Sequence, residues 1–333
     1  MAYNWVIMDT KILDIFRKHP GEFISGEDIS GVLKCTRAAI WKHIDKLRDI
    51  GYDIEAVPHL GYRLKGIPDK MLADEIKSGL KTTILGREIY SYANTESTNT
   101  IAYDLAEKGA KEGVVVIAEK QDKGKGRLGR KWVSPPGGIY MSCVFRPDIM
   151  PAEIQEFTLV AALGVIDAVR EVSTNIPVRI KWPNDILVRD KKLCGILTEL
   201  KAESDRIDFV VLGVGVNANT SEKSLPLNAT SIKKEANRTI SRLDLVKGLL
   251  KNLEKRYLKF KESGFSVFAG EIKANSVTIG KRVLVKSHNA SFEGEASDID
   301  QEGALIVRLD DGNARRVLSG DVTNLSDASG GNK

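Results

Sequence analysis

Along residues 1–65 the apolar positions fall into three short helical stripes and then an alternating run. Ile12, Leu13, Ile15 and Phe16 make the first stripe, which His19-Pro20-Gly21 ends. Ser25, with Asp28 three residues on, opens a short second helix through Leu33. Thr36 caps a third, whose apolar face is Ile40, Ile44 and Leu47, and Gly51 stops it. Residues 52–57, a Pro-His-Leu-Gly turn and Tyr62-Arg63-Leu64 read as a hairpin. Three helices and a hairpin predict a winged helix-turn-helix. Its third helix would lie in a DNA major groove, with Arg37, Trp41 and Lys42 on the outward N-terminal side. A small helical domain used for protein contacts fits the same pattern. Ten Lys/Arg against nine Asp/Glu in this segment supply little electrostatic pull on DNA.

After Lys65-Gly66-Ile67-Pro68 the pattern changes. Val114-Val115-Val116-Ile117-Ala118 is a continuous apolar run, as a strand buried on both faces requires. Residues 139–145, 178–181, 186–188 and 209–216 are further strand candidates. Residues 157–172 form a helix with a stripe through Leu159, Leu163, Ile166 and Val169, and residues 243–260 form another. Beyond a second break near 270–275, short strands recur at 283–285, 292–296, 304–309 and 314–318, with Asp310-Asp311-Gly312-Asn313 as a turn. The pattern predicts an α+β multidomain chain: a winged helix-turn-helix over 1–65, a mixed-sheet α/β domain over 66–274 and a small β-barrel over 275–326.

Composition narrows the class. The chain has 333 residues, 42% hydrophobic and 29% charged, with net charge +5, which permits phosphate-bearing ligands without demanding them. Three widely spaced cysteines, Cys35, Cys143 and Cys194, support neither a disulfide framework nor a zinc site. Residues 1–10 lack the pattern of a signal peptide, and no run reaches membrane-spanning length, so a cytoplasmic protein is expected, with a loose Ser-Gly-Gly-Asn-Lys tail.

Three stretches can carry chemistry. Residues 119–132, Glu-Lys-Gln-Asp-Lys-Gly-Lys-Gly-Arg-Leu-Gly-Arg-Lys-Trp, place three glycines among six Lys/Arg after a buried strand. Glycines let backbone N–H groups approach an anion, and Lys and Arg add charge and donors for phosphate. The spacing is neither a Walker A loop nor a Rossmann fingerprint; a solvated basic loop is the alternative. In Lys181-Trp182-Pro183-Asn184-Asp185, Pro183 forces a turn that leaves Asn184 and Asp185 at a strand end. Asp185 can bind Mg²⁺ or orient a lysine, and an ordinary turn is the alternative. Lys192 precedes another apolar strand and points into a site or into water. Thr95-Glu96-Ser97-Thr98-Asn99-Thr100 opens a helix, where small polar groups bind an oxygen-rich ligand or simply cap.

Together these stretches resemble the bifunctional biotin–protein ligase/repressor family over nearly the whole chain. Gly124-Lys125-Gly126-Arg127-Leu128-Gly129-Arg130-Lys131-Trp132, followed by Lys181-Trp182-Pro183-Asn184-Asp185, carries most of the resemblance. Glu96-Ser97-Thr98-Asn99 and Leu193-Cys194-Gly195-Ile196-Leu197 add to it. The resemblance implies a catalytic domain of the biotin/lipoate ligase type and an SH3-like C-terminal barrel. It also implies a two-step reaction, in which biotin and ATP give biotinyl-5′-AMP and a lysine of biotin carboxyl carrier protein of acetyl-CoA carboxylase then takes the biotin. By position, it implies Ser97, Thr98, Asn99, Gln121, Lys125, Gly126, Arg127 and Lys192 at biotin. Arg127, Arg130, Trp132, Asn184, Asp185 and Asn217 would hold ATP or the adenylate, with Asp185 at Mg²⁺. Lys192, Arg127 and Lys125 would be catalytic, and Gly213 and Gly215 would line the pocket. Biotin is also implied as effector, with a homodimer forming on operator DNA when the adenylate is bound.

The family commonly has Arg where this chain has Lys125, which keeps the charge without the bidentate fork. Three alternatives remain open at this point: a lipoate ligase or octanoyl transferase, a biotin-sensing repressor with weak ligase activity, and a ligase whose N-terminal domain no longer binds DNA.

Overall fold

A computed structural model describes residues 7–203, 206–286 and 291–325. The Ser-Gly-Gly-Asn-Lys tail lies outside the described residues, as do the first residues of the N-terminus.

The N-terminal helices are α1 (Ile7–Lys18), α2 (Gly26–Leu33) and α3 (Arg37–Ile50), followed by strands β1 (Asp53–Val57) and β2 (Gly61–Gly66). Both expected caps form: Ser25 Oγ accepts from Asp28 N at 3.0 Å and Thr36 Oγ1 from Ala39 N at 3.2 Å. Gly51 ends α3 at φ 113°, a left-handed conformation that suits glycine. Ile24 pairs with Tyr62, adding a third short piece to the wing sheet. Ile12, Leu13, Phe16, Ile29, Ile40, Ile44, Leu47, Tyr52 and Ile54 bury a core of their own.

Helix α4 (Ala73–Lys77), which the apolar pattern does not reveal, joins this domain to the next. The residues around it face both ways. Leu72 enters the N-terminal core, while Met71 and Ile76 enter the central one. Buried Glu75 accepts from Tyr52 Oη at 2.6 Å and from Arg17 Nη2 at 2.7 Å.

The central domain is a seven-stranded sheet. Its elements are β3 (Glu88–Tyr92), α5 (Thr98–Glu107), β4 (Val114–Ala118), β5 (Ile139–Phe145), α6 (Ile154–Val172), β6 (Val178–Lys181), β7 (Asp185–Val188), β8 (Lys191–Glu203), β9 (Arg206–Val216), α7 (Ile232–Ala236), α8 (Arg242–Ser263) and α9 (Ser266–Asn275). The strand order is β3-β4-β5-β9-β8-β7-β6, parallel only between β3 and β4. β4 and β5 are buried along their whole length because α6 and α8 cover one face and α5 packs on the other. Gly270, placed near a break by sequence, sits inside α9, which runs on to Asn275.

The C-terminal strands β10 (Arg282–Lys286), β11 (Ser291–Ile299), β12 (Leu305–Arg308), β13 (Ala314–Val317) and β14 (Asp321–Asn324) form an antiparallel sheet in the order β13-β12-β11-β10-β14. Val283, Val285, Ile299 and Leu305 join the core of the central domain. Trp182 pins the two together: its backbone N–H donates to Thr278 Oγ1 and its indole to Gly303 O, each at 3.0 Å. Among the described residues no helix is long and apolar enough to cross a membrane.

Candidate active site

The expected site residues gather around an open cleft of about 840 Å³, its open mouth included. Five segments bring the expected residues to it. The start of α5 brings Ser97, Thr98 and Asn99; the loop after β4 brings Gln121, Lys125, Gly126, Arg127, Arg130 and Trp132. The turn into β7 brings Asn184 and the first residue of that strand, Asp185, and β8 and β9 supply Lys192, Gly195, Gly213 and Gly215.

The floor is glycine because the sheet must make room. Gly213 and Gly215 share one face of β9, and Gly195 pairs with Gly215 on β8. A Cβ at 213 would stand 2.1 Å from Asn99 Oδ1, and one at 215 would stand 2.6 Å from Trp132 Nε1. One at 195 would lie 3.0 Å from the Trp132 ring. These glycines therefore seat Asn99 and the indole.

Hydrogen bonds fix the wall at α5. Ser97 occupies the N-cap position, yet its hydroxyl makes no capping bond, so capping does not account for this run. Gln121 Oε1 accepts from Thr98 N at 2.7 Å and Thr98 Oγ1 at 3.1 Å, and Gln121 Nε2 donates to Ser134 Oγ at 2.9 Å. Ser142, buried in mid-strand β5, lies 2.8 Å from Thr98 Oγ1 and donates to Asn99 Oδ1 at 2.6 Å. Asn99 Nδ2 in turn donates to Glu199 at 2.7 Å.

The glycine-basic stretch folds back on itself: Gly126 N donates to Arg130 O at 2.6 Å and Trp132 N to Gly124 O at 2.9 Å. Leu128 sits at its tip in the left-handed region, φ 55°, and is exposed. A single 3₁₀ turn covers Arg127–Gly129, and no α-helix follows. The cations are arranged rather than splayed. Arg127 Nη1 donates to Asn184 Oδ1 at 3.2 Å, and Asn184 Nδ2 to Ile196 O at 2.7 Å. Burial pulls the Arg127 guanidinium below its usual value, with Asp185 and Asp321 acting against it. Lys192 Nζ lies 2.7 Å from Asp185 Oδ1 and 5.2 Å from the centre of the Trp132 ring. Arg130 reaches Asp321 of β14 in a two-pronged pair, which brings the C-terminal sheet to the rim of the cleft.

Of the residues expected here, Asn217 alone stays outside the lining. Its buried amide faces the Lys192 carbonyl at 3.5 Å, and its backbone N–H donates to Leu193 O, so it supports the Lys192 strand from behind. Ser142, Glu199 and Asp321 escaped the sequence reading. Only Ser142 left a trace, as the single serine in a strand of otherwise hydrophobic residues. Cys143 and Cys194 are buried free thiols, and burial pushes Cys143 up to about 12, which leaves it inert; Cys35 is only half-buried. On the N-terminal domain, Arg37, Trp41 and Lys42 all lie exposed along the first turns of α3, with Trp41 54% accessible.

Residues 91–217 match the biotin/lipoate A/B protein ligase family, residues 278–323 the biotin protein ligase C-terminal domain and residues 9–63 an HTH domain. Over 316 residues the chain is 38% identical to the bifunctional ligase/repressor BirA of Bacillus subtilis, covering 93% of this chain and 97% of that one. The chain belongs to the bifunctional biotin–protein ligase/repressor family. The Escherichia coli BirA is 32% identical, over 87% of this chain and 89% of that one. A biotin protein ligase from Aquifex aeolicus, solved in complex with biotin and ATP, superposes with a TM-score of 0.62 at 29% identity, over 71% of this chain and 98% of that one. The expected fold and ligase class therefore hold, and the lipoate alternative falls away.

Proposed function

We propose that the cleft adenylates biotin and hands it to a lysine of the biotin carboxyl carrier protein of acetyl-CoA carboxylase. The observation that carries this reading is the convergence of Arg127, Arg130 and Lys192 with the Thr98–Asn99–Gln121 network in one cleft. Ser97, Thr98, Asn99 and Gln121 receive the uncharged polar head of biotin. Lys125, Gly126 and Arg127 hold its carboxylate beside the α-phosphate of ATP. When the carboxylate oxygen bonds to that phosphorus and pyrophosphate leaves, negative charge builds on the phosphoryl oxygens. Lys192 and Arg127, already ordered by Asp185 and Asn184, stabilise it without reorganising. In the second step the carrier amine attacks the mixed anhydride and AMP departs. Trp132, Asn184 and Asp185 line the adenylate side, and Asn217 acts through the Lys192 strand.

Mg²⁺ fits this cleft as a passenger on ATP. Asp185 is already paired with Lys192, and among the described residues no group of three His, Cys, Asp or Glu could hold a metal. That donor set suits an ion carried mainly by substrate phosphates, with Asp185 as the protein's carboxylate near it. The metal would offset phosphate charge there.

The exposed Arg37, Trp41 and Lys42 support binding of operator DNA through α3, with a homodimer assembling on the adenylate-loaded form. The domain limits 1–65, 66–274 and 275–326 belong to the same reading. The test is incubation with Mg²⁺-ATP, a carrier domain and either biotin or lipoate, followed by mass spectrometry. A biotin-sized increment on one carrier lysine is expected; a lipoyl increment, or none, overturns the substrate. Protection of the DNA upstream of its biotin genes, dependent on biotinyl-AMP, tests the repressor half.

A further inference from the structure

Glu199 touches no atom of the chemistry set out above, yet it contacts both halves of the site. It stands on β8, opposite Val211 of β9. One carboxylate oxygen accepts from Asn99 Nδ2 at 2.7 Å, and the other lies 3.4 Å from Lys125 Nζ. The first contact is fully specified. Asn99 is buried and its Oδ1 already accepts from Ser142 Oγ, so Nδ2 must face Glu199. The second reaches 74 residues back along the chain to Lys125, between two glycines of the glycine-basic loop. A carboxylate so close to the path of an anionic substrate opposes that substrate unless a cation screens it. Lys125 is that cation. An ammonium carries three donors on a flexible stem and can turn to a substrate carboxylate while staying near Glu199. A guanidinium would be held by both carboxylate oxygens at once.

We propose that Glu199 is a positioning residue: it sets the Asn99 amide in the biotin pocket and holds Lys125, and with it the loop, over the cleft until the substrate carboxylate arrives. The proposal rests on the assignment of Asn99 and Lys125 to biotin binding.

The test uses the full chain as wild type, Glu199→Gln, Lys125→Met and the double variant. It combines biotin-dependent ATP–pyrophosphate exchange with amide hydrogen exchange of residues 122–131 in ligand-free protein. Glu199→Gln keeps an acceptor for Asn99 and loses the charge. Its KM for biotin should rise about fivefold, with kcat within about twofold of wild type, and the loop amides should exchange faster. Added to Lys125→Met, it should change neither quantity further. Multiplying effects in the double variant, or a fall in kcat with KM unchanged, would overturn the role. Should Glu199→Gln fail to fold, Lys125→Met alone decides, since an unaltered loop exchange rate contradicts the latch. Wild-type protein without biotin-dependent exchange removes the biotin reading itself, and the proposal with it. Normal wild-type exchange with an unchanged Glu199→Gln removes the Glu199 role alone.

Discussion

The cleft and the outer face of α3 are both cationic, and they treat their cations in opposite ways. In the cleft, Lys125, Arg127, Arg130 and Lys192 each have a partner: Glu199, Asn184, Asp321 and Asp185. On α3, Arg37 and Lys42 make no hydrogen bond or ion pair among the described residues, and Trp41 stands beside them in the open. A small ligand whose charge grows during reaction needs donors aimed beforehand, because reorganisation would consume the gain. A long polyanion draws affinity from released counterions and needs only accessible charge, with base edges supplying selectivity. On the proposed function, the contrast separates a site for chemistry from a surface for DNA docking.

Removing a preorganised cation should do the most damage. Lys192→Met should lower kcat for biotin adenylation by about 10²–10³-fold, read by ATP–pyrophosphate exchange, with the melting temperature close to wild type. A loss under about fivefold would show that Lys192 only holds Asp185. Gly213→Ala drives a methyl group to 2.1 Å from Asn99 Oδ1. It should raise the KM for biotin at least about tenfold by displacing that side chain; an unchanged KM would mean that the amide is not needed where it stands.

On the proposed DNA-facing side of α3, Arg37→Ala should weaken DNA binding about tenfold in a mobility-shift titration while leaving adenylation untouched. Loss of both functions together would break the distinction drawn here. The smallest effect concerns stability. Burial, with Glu153, Glu302 and Asp300 nearby, pushes Glu156 up to about 7. A folded carboxyl held above its unfolded value stabilises fully below about pH 4.5, and that contribution fades as pH rises through about 7. Glu156→Gln should thus stabilise the protein at pH 8, on the order of 1–2 kcal/mol after screening, and much less at pH 5. Equal effects at both values would show that the group titrates normally.

Much of the fold was legible because its signals are local. Ser25, Thr36 and Gly51 bound α2 and α3 by capping, which needs only a few neighbouring residues. The buried β4 showed as an uninterrupted apolar run. β3, α4, α7, α9 and β14 were missed. β3 and β14 mix polar and apolar residues, α4 and α7 are five residues long, and α9 has a glycine in mid-helix. The site motifs were visible as composition: glycine beside Lys and Arg, Pro before Asn and Asp. Their partners were not, because a carboxylate such as Asp321 looks like any other until the sheet that carries it is docked.

What the chain determines by itself is therefore periodicity, caps, turns and the chemical types available within each stretch, since these rest on backbone sterics and on contacts a few residues apart. Tertiary structure decided which charges meet. Lys125 and Glu199 are 74 residues apart and Arg130 and Asp321 are 191 apart, so only the folding of the central sheet, and the packing of the C-terminal strands on it, bring them within hydrogen-bond reach. It also decided that Asn217 would back the Lys192 strand instead of lining the cleft, because the register of β8 on β9 sets where that strand ends.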